Sequence, residues 1–212
     1  MNTLLKKMTF LSLMTLSFCD LSISNTVNAK KLDDDFLPNS IKNFIKDSLS
    51  EYSVPNENQF IDEWKSYDHI STPRFAFSDF NGDSKKDYAI ILLSKNYKEI
   101  LLVVFLSDNM HSFSIHRVNI FNLNENLIDV FISVEKKGYW QTSKGKINIK
   151  HDGISVDWAS ESISFSYYWK NDNFQNFLYN WDETGNVSSV AIVDYNFNYQ
   201  EQKIKLKIDY EN

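Results

Sequence analysis

The chain has 212 residues, a formal net charge of −6 and 42% hydrophobic residues, which suits one ordinary domain with a sizeable core. An acidic surface repels phosphate backbones, so the balance of charge excludes nucleic acid as a natural partner. With five glycines there is no glycine-rich phosphate loop, no G-x-S-x-G elbow occurs, and none of the histidines forms a short-range HExxH pair.

Residues 1–29 read as a secretory signal peptide. Lys6 and Lys7 precede a mostly apolar run, Met8–Phe18, and Val27-Asn28-Ala29 offers a cleavage site after Ala29. The run is too short to span a bilayer, which takes roughly 20 residues. Cys19 is the lone cysteine, and bulky Phe18 directly before it argues against lipoprotein processing. The expected mature chain carries 20 basic and 27 acidic residues, a net charge of −7, with no cysteine and no disulfide. No later segment reaches membrane-spanning length, so an exported protein, periplasmic or secreted, is expected.

Lys30–Asp35 reads as a flexible arm, and residues 36–212 as a single β-rich domain that begins with a helical region. Ser40 or Asn39 can cap a helix whose inner face is Ile41, Phe44, Ile45, Leu49 and Tyr52, with Pro55 as its end. A weaker helical stretch is predicted over Gln59–Tyr67, with Phe60, Ile61 and Trp64 inward. From Arg74 the pattern turns to strands: Phe75–Phe77, Tyr88–Leu93, Ile100–Leu106, His111–Ile120, Ile128–Glu135, Lys146–Lys150, Ile154–Trp158, Ser162–Trp169, Phe174–Tyr179, Val187–Tyr195 and Lys203–Tyr210. They are rich in β-branched and aromatic residues, and Asn, Asp and Gly fill the turns between them. The fold class expected is mainly β (α+β), an antiparallel sheet, sandwich or meander with an N-terminal helix.

One stretch points to chemistry. In Asp79-Phe80-Asn81-Gly82-Asp83-Ser84-Lys85-Lys86-Asp87, oxygen-bearing side chains fall at positions 1, 3, 5 and 9 of a loop. Calcium takes six to eight hard oxygen ligands. Asp79, Asn81, Asp83 and Asp87 can supply side-chain oxygens, and Lys85 a backbone carbonyl. Three carboxylates so close should raise the pKa of at least one of them in the absence of a cation. Ile90 at position 12 and Ser84 at position 6 exclude an EF-hand. The same residues also suit a tight turn that satisfies its own backbone.

With its strand-like flanks, the pattern of Asp79, Asn81, Gly82, Asp83 and Asp87 followed by Tyr88-Ala89-Ile90-Ile91 resembles the calcium loop of the FG-GAP/VCBS class of extracellular β-modules. Only one copy is present. The resemblance implies bound Ca²⁺. Ser84 stands where the family pattern has glycine, and a left-handed serine there costs on the order of 1 kcal/mol. Asp152-Gly153-Ile154 and Tyr167–Asp172 extend a fainter likeness to small exported bacterial proteins.

The function expected is non-catalytic binding of a protein or glycan partner, with calcium stiffening a loop. The alternatives are a secreted or periplasmic hydrolase and a periplasmic inhibitor or immunity-type protein. Asp157 and Glu161, flanking Trp158, are a carboxylate pair that would suit sugar hydrolysis. Tyr139, Trp140, Trp158, Tyr167, Tyr168, Trp169, Phe174, Tyr179 and Trp181 crowd one region, as either core or contact surface.

Overall fold

A computed structural model describes residues 37–67, 70–108, 112–123, 127–142, 145–159, 163–181 and 187–191. The signal segment, the arm at 30–35, Glu161 and the strand expected at Lys203–Tyr210 lie outside them.

Helix α1 spans Asn39–Ser48. Pro38 occupies the capping position, and neither Asn39 nor Ser40 caps with its side chain, because both already lie inside the first turn. Proline suits that place: its φ is preset and it withholds no needed N–H. The helix stops at Leu49, well before Pro55, since Tyr52 and Ser53 are drawn into strand β1 (Tyr52–Ser53). The second predicted helix is two 3₁₀ turns, Glu57–Gln59 and Asp62–Ser66, with Phe60 and Trp64 buried and Ile61 half-buried.

The strands that follow are β2 (Phe75–Ser78), β3 (Asp87–Ser94), β4 (Glu99–Ser107), β5 (Phe113–Asn122), β6 (Val130–Glu135), β7 (Gly138–Thr142), β8 (Gly145–Ile149), β9 (Gly153–Trp158), β10 (Ile163–Lys170), β11 (Asn173–Trp181) and β12 (Val187–Ala191). Among the described residues the pairings between these strands are antiparallel, and an isolated parallel bridge joins Phe60 to Ile128. The first sheet runs β3-β4-β5, with β1 and β2 sharing the outer edge of β3, one at each end. The second runs β12-β11-β10-β9-β6. Between β6 and its neighbour β9 the chain makes an excursion, the separate two-stranded hairpin β7–β8.

The two apolar runs explain the layering. Ala89–Leu93 and Ile100–Leu106 are buried without alternation, as strands covered on both faces must be. Ala89, Ile91, Leu93, Leu102 and Val104 pack against Ile132, Ile154, Val156 and Tyr167 of the second sheet. Ile90, Leu92, Leu101, Val103 and Phe105 pack on the other side against Ile41, Phe44, Ile45 and Leu49. Each fully buried aliphatic side chain contributes about 1.5–3 kcal/mol. Asn119 Nδ2 donates to Tyr167 Oη at 2.6 Å, a buried bond between the sheets.

The outer face of the second sheet is covered in turn by the hairpin. Trp140, Ile147 and Ile149 rest on Tyr168, Phe177 and Tyr179. Most of the crowded aromatics are therefore packing. Tyr167, Tyr168 and Tyr179 are buried, Trp140, Trp158, Trp169 and Phe174 half-buried, and Tyr139 is 75% exposed. The tight β10–β11 turn holds Asn171 and Asp172 at φ 54° and 60°, the left-handed pair that a two-residue hairpin needs.

Double burial of β3 makes a prediction. Ile91→Ala and Leu92→Ala, facing opposite layers, should each cost about 2–5 kcal/mol in denaturant unfolding, whereas Tyr97→Ala on the exposed β3–β4 turn should change little. A large difference between the two core variants would mean that one layer is not packed.

Candidate functional site

The acidic loop joins β2 to β3, and its side chains are turned onto backbone. Asp79 Oδ1 accepts from the N–H groups of Gly82 (2.7 Å) and Asp83 (3.0 Å), and Asp79 Oδ2 from that of Ser84 (2.8 Å). Asn81 Oδ1 accepts from Asp83 N at 3.1 Å, and Asp83 Oδ1 from Lys85 N at 3.0 Å. These are the short side-chain-to-backbone bonds by which Asp and Asn stabilise turns. Gly82 and Ser84 both sit in the left-handed region, at φ 84° and 65°. The strain expected of Ser84 is thus present.

Asp87 is fully buried as the first residue of β3. Its Oδ2 accepts from Phe80 N and its Oδ1 from Ser107 N, each at 2.8 Å, so one carboxylate ties the loop to the end of β4. Ser107 Oγ donates in return to the Lys86 carbonyl. Burial pushes the Asp87 carboxyl up to about 6; the N–H groups of Ser107 and Phe80 pull it down and the Asp83 charge pushes it further up. A carboxyl in this loop does have a raised pKa, but the first cause is burial rather than crowding.

Lys85 Nζ lies 2.7 Å from Asp83 Oδ2. Lys86 Nζ sits 4.6 Å from the centre of the Phe77 ring and 5.3 Å from that of Tyr88.

By donor type the loop fits a hard cation, and its oxygens keep acceptor capacity, since an ionised carboxylate has about four lone-pair sites. As arranged, Lys85 Nζ supplies the positive charge beside Asp83, and among the described residues no three His, Cys, Asp or Glu side chains are grouped to hold an ion.

Sequence reasoning missed what lies against the loop. The His151 ring packs on Gly82 so closely that an added Cβ would sit 2.1 Å from Cε1. Next to it, Asp152 accepts from Ser78 Oγ (2.7 Å), Lys136 Nζ (3.0 Å) and Lys137 N (3.2 Å). Partial burial works to raise its pKa, but these bonds and the Lys136 charge outweigh burial and hold it low. The turn between β8 and β9 is thereby rooted on the loop. The only sequence sign was the Asp152-Gly153 turn signal.

Asp157 also finds an unforeseen partner. On the outer face of the second sheet its Oδ1 accepts from Ser155 Oγ at 3.1 Å and from Ser164 Oγ. Ser155 Oγ lies 2.9 Å from Tyr179 Oη, and Tyr179 Oη lies 3.3 Å from Glu135 Oε2. Burial pushes Glu135 up to about 7; the bond to Tyr179 opposes this and the Asp157 charge adds to it. Trp158 turns to the other face, against Phe121 and Phe165, with its Nε1 donating to Asp129 Oδ2 at 2.9 Å. It does not stand beside Asp157. Of the histidines, His116 packs edge-on against Trp169 and Phe174, while His69 and His111 lie outside the described residues.

Comparison with protein-family models finds no match, and neither does comparison with curated proteins or with solved structures. The likeness to FG-GAP/VCBS modules rests on the loop residues themselves.

Asp87→Ala should strand the Phe80 and Ser107 N–H groups, at about 1–3 kcal/mol each. Gly82→Ala should be destabilising as well, because it adds a Cβ at positive φ and displaces His151. Urea midpoints check both, and a midpoint for Asp87→Ala equal to wild type would show that the carboxylate holds nothing together.

Proposed function

We propose that the chain is an exported, non-catalytic interaction protein in which loop 79–87 is a structural element that calcium reinforces. What carries this reading is the orientation of the loop's acidic side chains: Asp79, Asp83 and Asp87 all accept from backbone N–H groups. A cation beside such groups stiffens backbone rather than activating a substrate. The raised pKa of Asp87 supports the same reading, since a nearby cation would stabilise its charged form.

Calcium would draw on Asp79, Asn81, Asp83, the Lys85 carbonyl and Asp87, and would supply positive charge in place of the Lys85 ammonium. The protein or glycan partner would meet exposed aromatic side chains, of which Tyr139 on the hairpin is the most exposed among the described residues.

Ligand that binds only the folded state stabilises it by RT ln(1 + [L]/Kd), about 2.7 kcal/mol at a hundredfold excess over Kd. Chelator should therefore lower the melting temperature measured in millimolar calcium. Lys85→Met should enlarge the calcium-dependent shift, because the competing ammonium is gone. Identical melts with calcium and with chelator, in wild type and in Lys85→Met, would leave the loop as a metal-free turn.

A further inference from the structure

Among the described residues, four other than glycine have positive φ: Ser84, Tyr97, Asn171 and Asp172. Asn and Asp visit the left-handed region readily, because their short polar side chains bond locally. Ser84 belongs to the acidic loop, with its N–H held by Asp79. Tyr97, at φ 58°, carries a bulky ring and is the outlier.

Its place explains the conformation but not the residue. The Tyr97 N–H donates to the Ser94 carbonyl at 2.9 Å and closes the turn between β3 and β4, after which a left-handed residue leads the chain back into β4. Hairpins of this kind give that position to glycine. A tyrosine there costs strain. Burial does not offset it, since the side chain is 61% exposed and belongs to none of the hydrophobic core clusters.

The turn is nonetheless braced. Ser94 Oγ accepts from the N–H groups of Lys98 (3.2 Å) and Glu99 (3.1 Å) and donates to Asn96 Oδ1 (2.7 Å), which also accepts from Lys98 N (3.1 Å). Lys95 N donates to the Glu51 carbonyl and Leu123 N to the Lys98 carbonyl, each at 2.8 Å, so chain from both neighbouring strands holds the flanks. Beneath lie β3 and β4, the strands buried on both faces. A ring mounted on so fixed a base loses little freedom when it is bound. A residue that breaks the local rule with no gain to the fold marks a functional position.

We propose that Tyr97 is the anchor of a docking surface for a protein partner, whose apolar pocket, rimmed by carboxylates, takes the ring. This rests on the reading of the chain as an interaction protein and names the residue and the kind of partner.

Shape and charge select that partner. Sites for small ligands are concave and converge several groups, whereas a lone ring on a turn tip projects and so enters a pocket rather than forming one. Tyrosine is among the residues that anchor protein interfaces, with polar groups around it at the rim. Lys95, Asn96 and Lys98 are exposed on either side of Tyr97 and supply such a rim. Glu51 and Glu99 stand at the base of the turn, Glu99 held by the Tyr52 hydroxyl, while the tip at 95–98 carries only positive charge. Two lysines on a chain of net charge −6 are too few to hold it on an anionic membrane.

Two measurements on the full chain test this. In urea unfolding, Tyr97→Gly and Tyr97→Asn should keep or raise the midpoint, because they relieve the strain and give up no core contact. A lowered midpoint in both would show that the ring serves the fold, and would overturn the proposal. The second measurement places p-benzoylphenylalanine at position 97 or, in a separate variant, at position 139, in cells that produce the protein, and identifies photoadducts by mass spectrometry. Position 97 should capture a protein through a peptide that bears Asp or Glu. That protein, once purified, should bind Tyr97→Gly about thirtyfold or more weakly than wild type, as for other interface anchors, and Tyr97→Phe nearly as well as wild type. Lys95→Glu with Lys98→Glu should weaken it most at low salt. Adducts at 139 but not at 97 would overturn the proposal and leave the interaction reading standing, whereas adducts at neither would sink both. Lipid or glycan captured at 97, or a captured protein indifferent to Tyr97→Gly, would also overturn it.

Discussion

Two backbone N–H groups far apart in sequence, those of Phe80 and Ser107, end on one buried carboxylate, that of Asp87. Buried N–H groups must find acceptors, and here neither strand ladder supplies one. Asp87 begins β3, the strand that carries both core layers, so the bond to Ser107 also fixes where β4 stops. From that anchor the loop folds back through Asp79. Gly82 receives the His151 ring, and Asp152 fastens the next turn to Ser78 and Lys136. The second sheet and the base of the hairpin are thus positioned from the same corner of the molecule.

Burial of charge is costly, and the protein handles it differently at its two most perturbed carboxyls. Asp87 is offset by two backbone donors, which cannot be removed by titration. Glu135 has the Tyr179 hydroxyl and the Lys136 backbone N–H beside it, set against the negative charges of Asp157 and Asp152. Asp87 is thus a staple between the loop and the end of β4, whereas Glu135 keeps like charge close by.

Much of the fold was legible because the chemistry is local. The unbroken apolar runs Ala89–Leu93 and Ile100–Leu106 announced strands, and the interval Asp79–Asp87 announced an acidic loop between two of them, read first as a calcium loop and alternatively as a turn that satisfies its own backbone. What the pattern did not show was long-range. Strand β7 was missed because Gly138-Tyr139-Trp140-Gln141-Thr142 is short and polar at its ends, and only its hairpin partner makes it a strand. Pro38 replaced Asn39 or Ser40 as the cap because drawing Leu37 into the core sets where the helix begins. Glu135 was unremarkable as the end of a strand. Tyr179 lies 44 residues away, and no spacing rule links Glu135 to it or to Asp157.

The most direct test of the account is native-state exchange of the Phe80 and Ser107 amides. If Asp87 is the anchor, both should exchange only through global unfolding, with the same free energy as the β3–β4 ladder amides of Ile90 and Val103. Fast local exchange at Phe80 and Ser107 while that ladder stays protected would contradict the account, because the loop would then open independently of the sheet it is said to fix.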